Sequence, residues 1–318
     1  MEQTQNPGRN VMNFNEKSYT VPAGACPVPV ILDTDTYNEI DDQFALVYAL
    51  LTPECINLRG VTAAPFLNSR STSAADGMEK SYREIVRIID LMGFGGRVPA
   101  YRGATAFLPD RMTPVRSEAV DFIIAEAKRA RGRGEKLFVV AIGAITNLAS
   151  ALLIAPDIAG DIVVVWLGGH DHKQAHNREF NLYEDVPAAQ VVIDSAAPFV
   201  RVPCDHVASA LTMQPEELER ELADCGEPGR YLCTIFRDYV EEHKSVDKVI
   251  WDISAVSYLT SPQSTEWEII PRERLEDDSS WSFPETACRM LIARKIDRAA
   301  LFNDIYTRLR AHVKAAGR

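Results

Sequence analysis

Five carboxylates stand close together near the start of the chain: Asp33, Asp35, Glu39, Asp41 and Asp42. They follow the apolar run Val28-Pro29-Val30-Ile31-Leu32, whose β-branched residues read as a buried parallel strand, and they lead into an apolar helical pattern. So many like charges in one strand-to-helix loop repel each other unless a cation sits among them. A hard divalent ion with oxygen ligands, Ca²⁺ or Mg²⁺, is the simplest neutraliser. Capping of the following helix by Asp41 or Asp42 accounts for one or two of these acids, not for the set.

Two other chemistries share part of this pattern and fail on spacing. Leu32-Asp33-Thr34-Asp35-Thr36 imitates the DxDxT nucleophile of haloacid dehalogenase-like phosphatases, but the acidic pair Asp277-Asp278 lies in a polar segment instead of after an apolar strand. In an EF-hand loop, Asn38 would stand at the glycine position and Phe44 at the bidentate glutamate.

The elements that position the acids are legible as an alternation. Strands are expected over 56–63, 137–142, 162–167 and 198–202, and helices over 73–92, 117–129, 147–153 and 186–195. Strands alternating with helices imply right-handed crossovers and an α/β fold: a mostly parallel, Rossmann-like open sheet flanked by helices. Later segments read as helical additions towards the C-terminus, over 215–223, 229–242, 252–259 and 297–313, with strands only at 267–270 and near Trp281. Residues 1–27 read as an irregular extension and 28–318 as one domain. Ligands of open α/β sheets bind beyond the carboxyl ends of the strands. The segments that fall there are 33–42, 64–68, 143–147 and 168–172, the last leading to Glu179-Phe180-Asn181.

Composition narrows the partners. A net charge of −11 disfavours nucleic acid, which needs a basic footprint, and suits a cation and a neutral small molecule. The six cysteines show no CxxC or zinc spacing and read as reduced thiols of a cytoplasmic protein. The first residues lack the apolar core of a signal peptide, and no run suits a membrane span. His170, His172 and His176 cluster, and a histidine at a strand end suits substrate contact, for instance as a leaving-group acid.

Taken in order, these blocks resemble the inosine-uridine-preferring nucleoside hydrolase family. Asp33-Thr34-Asp35 with Asp41-Asp42 resembles its DTDxGxDD opening, here two residues longer and without the glycine. Gly143-Ala144-Ile145-Thr146-Asn147-Leu148-Ala149 is similar to its GPLTNLA block, and Glu179-Phe180-Asn181 with Asp185, Ala188 and Ala189 to its EFNxxxDPEAA block. Trp251-Asp252 is similar to the late HD-containing helix start, with Trp251 where purine-cleaving members often carry histidine. The resemblance implies a hydrolase that cleaves the N-glycosidic bond of a ribosyl compound. It implies Ca²⁺ held by Asp33, Asp42, the Thr146 carbonyl and Asp252, with Asp33 also the catalytic base. Asp41, Asn68, Glu179 and Asn181 would grip the ribose, with His170 and Trp251 as further substrate contacts, in a homodimer or homotetramer. Rival readings are a ribose- or nucleoside-binding homologue without turnover and, further off, a DxD-type phosphatase.

Overall fold

Alternate residues of the central strands face two separate cores, as a sheet covered on both sides requires. The chain is described by a computed structural model covering Tyr19 and residues 26–174, 176–286 and 288–317. The expected extension over 1–27 lies outside the described residues apart from Tyr19, Cys26 and Pro27.

The strands of the main sheet are β1 (Val28–Thr34), β2 (Ile56–Ala63), β3 (Ala100–Tyr101), β4 (Leu137–Ala141), β5 (Ile162–Leu167) and β6 (Phe199–Val202). After an antiparallel ribbon of β7 (Thr212–Met213) and β8 (Lys248–Val249) come β9 (Thr265–Pro271), the hairpin β10 (Arg274–Leu275) and β11 (Trp281–Ser282), and β12 (Arg289–Ile296). The sheet has eight strands in the order β3-β2-β1-β4-β5-β6-β12-β9, parallel except for β9 against β12. Val30 and Leu32 of β1, Phe138 and Val140 of β4, and Val163 and Val165 of β5 face one core. Helices α1 (Asp41–Leu50), α2 (Ala74–Leu91), α8 (Gly226–His243), α9 (Ile253–Thr260) and α10 (Arg298–Ala316) contribute residues to that core, with α7 (Pro215–Leu222) beside them. Ile31, Val139, Val164 and Trp166 face the other, covered by α3 (Glu118–Gly132), α4 (Thr146–Ile154) and α6 (Val186–Asp194), which follows the single turn α5 (Phe180–Glu184).

The expected alternation holds through β6. The later part carries a strand that sequence reading does not find. β12 slots between β6 and β9, although Arg289, Arg294 and Lys295 break its apolar pattern. Arg294 is paired with Asp171 and Glu268, so its charge rides on the strand while Met290, Ile292 and Ala293 are buried.

Strand β1 pairs with β2 on one side and with β4 on the other. The winding direction of the sheet reverses there, and such a reversal opens a crevice at the carboxyl ends of the two strands. The acidic loop leaves β1 at that point. Asn147 at the start of α4 ties the region together: its Nδ2 donates to Asp33 Oδ1 at 2.8 Å and to the Ala63 carbonyl at 3.0 Å, and its Oδ1 accepts from Ala104 N–H at 2.8 Å.

Gly103 is where this corner leaves no room. A Cβ there would sit 1.8 Å from the Ala63 carbonyl oxygen and 2.6 Å from Asn147 Nδ2. Gly103→Ala is therefore expected to lower the unfolding free energy by about 1–3 kcal/mol, the usual cost of overpacking. Gly132→Ala, whose Cβ meets open space at the end of α3, should be neutral or stabilise by up to about 1 kcal/mol. Urea unfolding midpoints test the pair, and equal midpoints for both variants would contradict the tight approach.

Candidate active site

Asp33 ends on the sheet and Asp35 in the crevice. Asp33 is still in register with Thr62 of β2 and Ala141 of β4. Its Oδ1 accepts from the Thr62 hydroxyl at 2.6 Å and from Asn147, and its Oδ2 is buried without a partner. Burial pushes the carboxyl up to about 6, against the pull of those two hydrogen bonds. Asp33 does not line the cavity that opens at the strand ends. The sheet ladder and these two hydrogen bonds hold it as a brace. Asp35, the first residue beyond β1, takes the crevice position, 1% exposed and with neither carboxylate oxygen hydrogen-bonded.

Asp41 and Asp42 open α1 and Asp252 immediately precedes α9, where helix dipoles favour negative charge. Neither helix has a side-chain cap, so these carboxylates are not spent on backbone N–H groups at Ncap. Instead one oxygen each from Asp41, Asp42 and Asp252 lie within 4.8 Å of one another. Asp42 also accepts from the Thr34 hydroxyl. Burial, and then the neighbouring acids, push Asp35 and Asp252 well above the carboxylate range and Asp42 to about 7. Orphaned oxygens and mutual repulsion in a buried all-carboxylate cluster fit a hard divalent cation. Thr146 heads α4, and it is its hydroxyl, not the carbonyl expected as a ligand, that donates to Asp185 at 2.6 Å.

The opposite wall comes from the ends of β4 and β5. Glu179 caps α5: Oε1 accepts from Asn181 N–H at 3.0 Å, and Oε2 from Leu182 N–H at 3.0 Å and Gly169 N–H at 2.7 Å. The Asn181 amide nitrogen donates to the Ile142 and Leu167 carbonyls at 3.1 and 3.0 Å. Both residues line the cavity, as do His170, Trp251, Asn68 and Asp41, so the structure brings all six expected substrate contacts to one place. His170 Nδ1 is buried without a partner, whereas His172 is turned away onto Glu273 and Phe283. Asn68 is partly engaged already, donating to Asn38 Oδ1 at 2.5 Å. The cavity measures about 330 Å³, the scale of a small-molecule site.

Several residues at or beside the cavity were not among the expected contacts. Arg178 and Phe180 stand exposed at the mouth. Cys204 lies inside, but burial and then Glu179 push its thiol well up, which removes it as a nucleophile. Lys248 reaches the crevice wall from the β7–β8 ribbon to pair with Glu39 and Asp41. Asp35 stood in the acidic block, yet its role depends on where β1 ends, and spacing alone leaves that open by a residue or two.

Comparison with known proteins extends this picture. The profile of the inosine-uridine preferring nucleoside hydrolases matches residues 30–303. A "Probable uridine nucleosidase 2" of Arabidopsis thaliana is 27% identical over 267 residues, covering 76% of this chain and 77% of that protein. A pyrimidine-specific ribonucleoside hydrolase of Escherichia coli is 26% identical over 262 residues, covering 74% and 80%. The solved structure of a purine-preferring ribonucleoside hydrolase from Gardnerella vaginalis shares the fold with a TM-score of 0.71 at 22% identity, over 90% of this chain and 99% of that one. A match that starts in β1 and ends in α10 takes in every element that shapes the crevice, and on it the chain belongs to the inosine-uridine preferring nucleoside hydrolase family, as an N-glycosyl hydrolase of ribonucleosides.

Proposed function

We propose that this enzyme hydrolyses a pyrimidine ribonucleoside, uridine first, at a Ca²⁺ site formed by Asp35, Asp42 and Asp252. The observation that carries the reading is the pair of buried, unpartnered Asp35 oxygens close to Asp42 in the cavity lining. The base preference rests on the relatives, which are named for uridine and pyrimidine nucleosides. Bound among these carboxylates, a hard cation supplies Lewis acidity and a seat for vicinal hydroxyls.

The chain's own residues do the rest. One Asp35 oxygen accepts a proton of the attacking water, whose oxygen bonds to the anomeric carbon as the bond to the base breaks; the base leaves with that electron pair as its ring-nitrogen anion and takes a proton from solvent. Positive charge that builds on the sugar is met by the surrounding carboxylates, fixed in place before reaction. Asp41 and Glu179 accept ribose hydroxyls; the backbone N–H groups that Glu179 caps use only part of its acceptor capacity. Trp251 and His170 also line the cavity, and to them the reading assigns the leaving group. Burial holds the His170 imidazole below its ordinary value, so it serves as a neutral hydrogen-bonding partner of the departing base. The proposal includes a homodimer or homotetramer in the cytoplasm. Among the described residues, no helix is long and apolar enough to cross a membrane.

Release of reducing sugar from uridine tests the assignment. Asp35→Asn should cost about 10²–10⁴-fold in kcat, the range for loss of a general base. Asp33→Asn keeps an oxygen for Thr62 and Asn147 and should stay within about tenfold of the unaltered enzyme, since one rearranged hydrogen bond is worth about 1 kcal/mol. The reverse ranking would restore Asp33 as the base. Chelation should abolish release and added Ca²⁺ restore it, while Asp42→Ala and Asp252→Ala should lose Ca²⁺ binding by calorimetry. Uridine binding without product would identify a binding homologue. Hydrolysis of p-nitrophenyl phosphate that vanishes in Asp33→Asn would identify a phosphatase.

A further inference from the structure

Geometry alone would count Asp41 among the cation's ligands, because its oxygen converges with those of Asp42 and Asp252. Its hydrogen bonds separate it from them. Oδ1 of Asp41 lies 3.3 Å from Lys248 Nζ, and Oδ2 accepts from Trp251 N–H at 3.2 Å. Both oxygens are engaged from the protein side, whereas both oxygens of Asp35 are bare.

Lys248 is itself fixed. Its side chain is 5% exposed, and Nζ lies 2.5 Å from Glu39 Oε2. Glu39 takes a second bond at Oε1 from the Tyr239 hydroxyl at 2.9 Å, and its carbonyl accepts from Arg70 Nη1 at 3.3 Å. The ammonium also stands 5.3 and 5.8 Å from the Tyr239 and Trp251 ring centroids, close enough for attraction to the ring faces. Glu39 belongs to the stretch by which the acidic loop exceeds the DTDxGxDD spacing. The lengthened segment between Asp35 and Asp41 thus carries the anchor of a bridge from the loop to β8.

We propose that Lys248, anchored by Glu39, is a positioning residue that withholds Asp41 from the cation and presents it to a ribose hydroxyl. The inference rests on the functional reading above and deepens it. Three carboxylates, Asp35, Asp42 and Asp252, then face a divalent ion, leaving one negative charge for the cationic sugar that forms during cleavage. Without Lys248, Asp41 would be an uncompensated buried charge beside the partly exposed Glu39, and a second cation would be drawn to neutralise the pair.

The full chain serves for the test, with Lys248→Met, Lys248→Arg and Glu39→Gln. The readouts are Ca²⁺ stoichiometry by calorimetry and the ratio of kcat/KM for uridine to that for 2′- or 3′-deoxyuridine, whichever the unaltered enzyme discriminates more strongly. The unaltered enzyme should bind one Ca²⁺ per chain. Lys248→Met should raise that stoichiometry, raise KM for uridine and shrink the deoxynucleoside discrimination by about tenfold, the worth of a hydrogen bond to a charged acceptor. Lys248→Arg should recover part of both. If Lys248→Met does not fold, Glu39→Gln removes the anchor while keeping an acceptor for Tyr239, and should shrink the discrimination by about threefold. Unchanged stoichiometry with unchanged discrimination in a folded variant would overturn the proposal, whatever happened to kcat or thermal stability. Failure of the unaltered enzyme to bind Ca²⁺ or cleave uridine would overturn the functional reading and this inference with it.

Discussion

Carboxylates do not gather in a buried crevice without a counter-charge, and the architecture of this protein is arranged around that constraint. Desolvation and mutual repulsion both press Asp35, Asp42 and Asp252 towards protonation. Two helix N-termini oppose that pressure, because α1 and α9 both begin at the crevice with their positive dipole ends directed at the acids. The reversal of winding between β1 and β4 is what lets a strand end, two helix starts and the β7–β8 ribbon meet at one point. The cluster is thus held together by elements anchored in two hydrophobic cores, and its own electrostatics work against it.

Roles within the crevice follow from which oxygens are already taken. Both oxygens of Asp41 and Glu179 are taken by ammonium or backbone donors and one oxygen of Asp33 by Thr62 and Asn147, while Asp35 is left bare at both. A carboxylate saturated by protein donors supports structure or presents itself in one orientation. A bare one in a buried site needs an ion or a proton. That distinction separates residues which look alike in the sequence, where all are acids in the same short block.

Much of the fold was legible because apolar strands alternating with amphipathic helices leave few topologies open. The strands through β6 carry long β-branched runs, and the helices begin at recognisable caps such as Ser73 and Ser117. β12 was hidden because its charges find partners only in three dimensions, Arg294 with Asp171 and Glu268. The site was legible to the level of its segments. Within 33–42, which of Asp33 and Asp35 lines the crevice turns on where the ladder to β2 and β4 stops, a property of neighbouring strands that one strand's sequence does not contain. Lys248 was invisible for the same reason: a lone lysine in a polar stretch becomes a site residue only when the β7–β8 ribbon folds back over the crevice.

The cap on α5 joins local order to the shape of the cavity. A helix of five residues has almost no stability of its own, and here one side chain, Glu179, receives three backbone N–H groups, from Gly169, Asn181 and Leu182. The same side chain forms part of the cavity wall. Unwinding that turn and loosening the strand-end loop at Gly169 are therefore one event, and amide-exchange protection at those three positions reports whether this wall of the cavity is assembled.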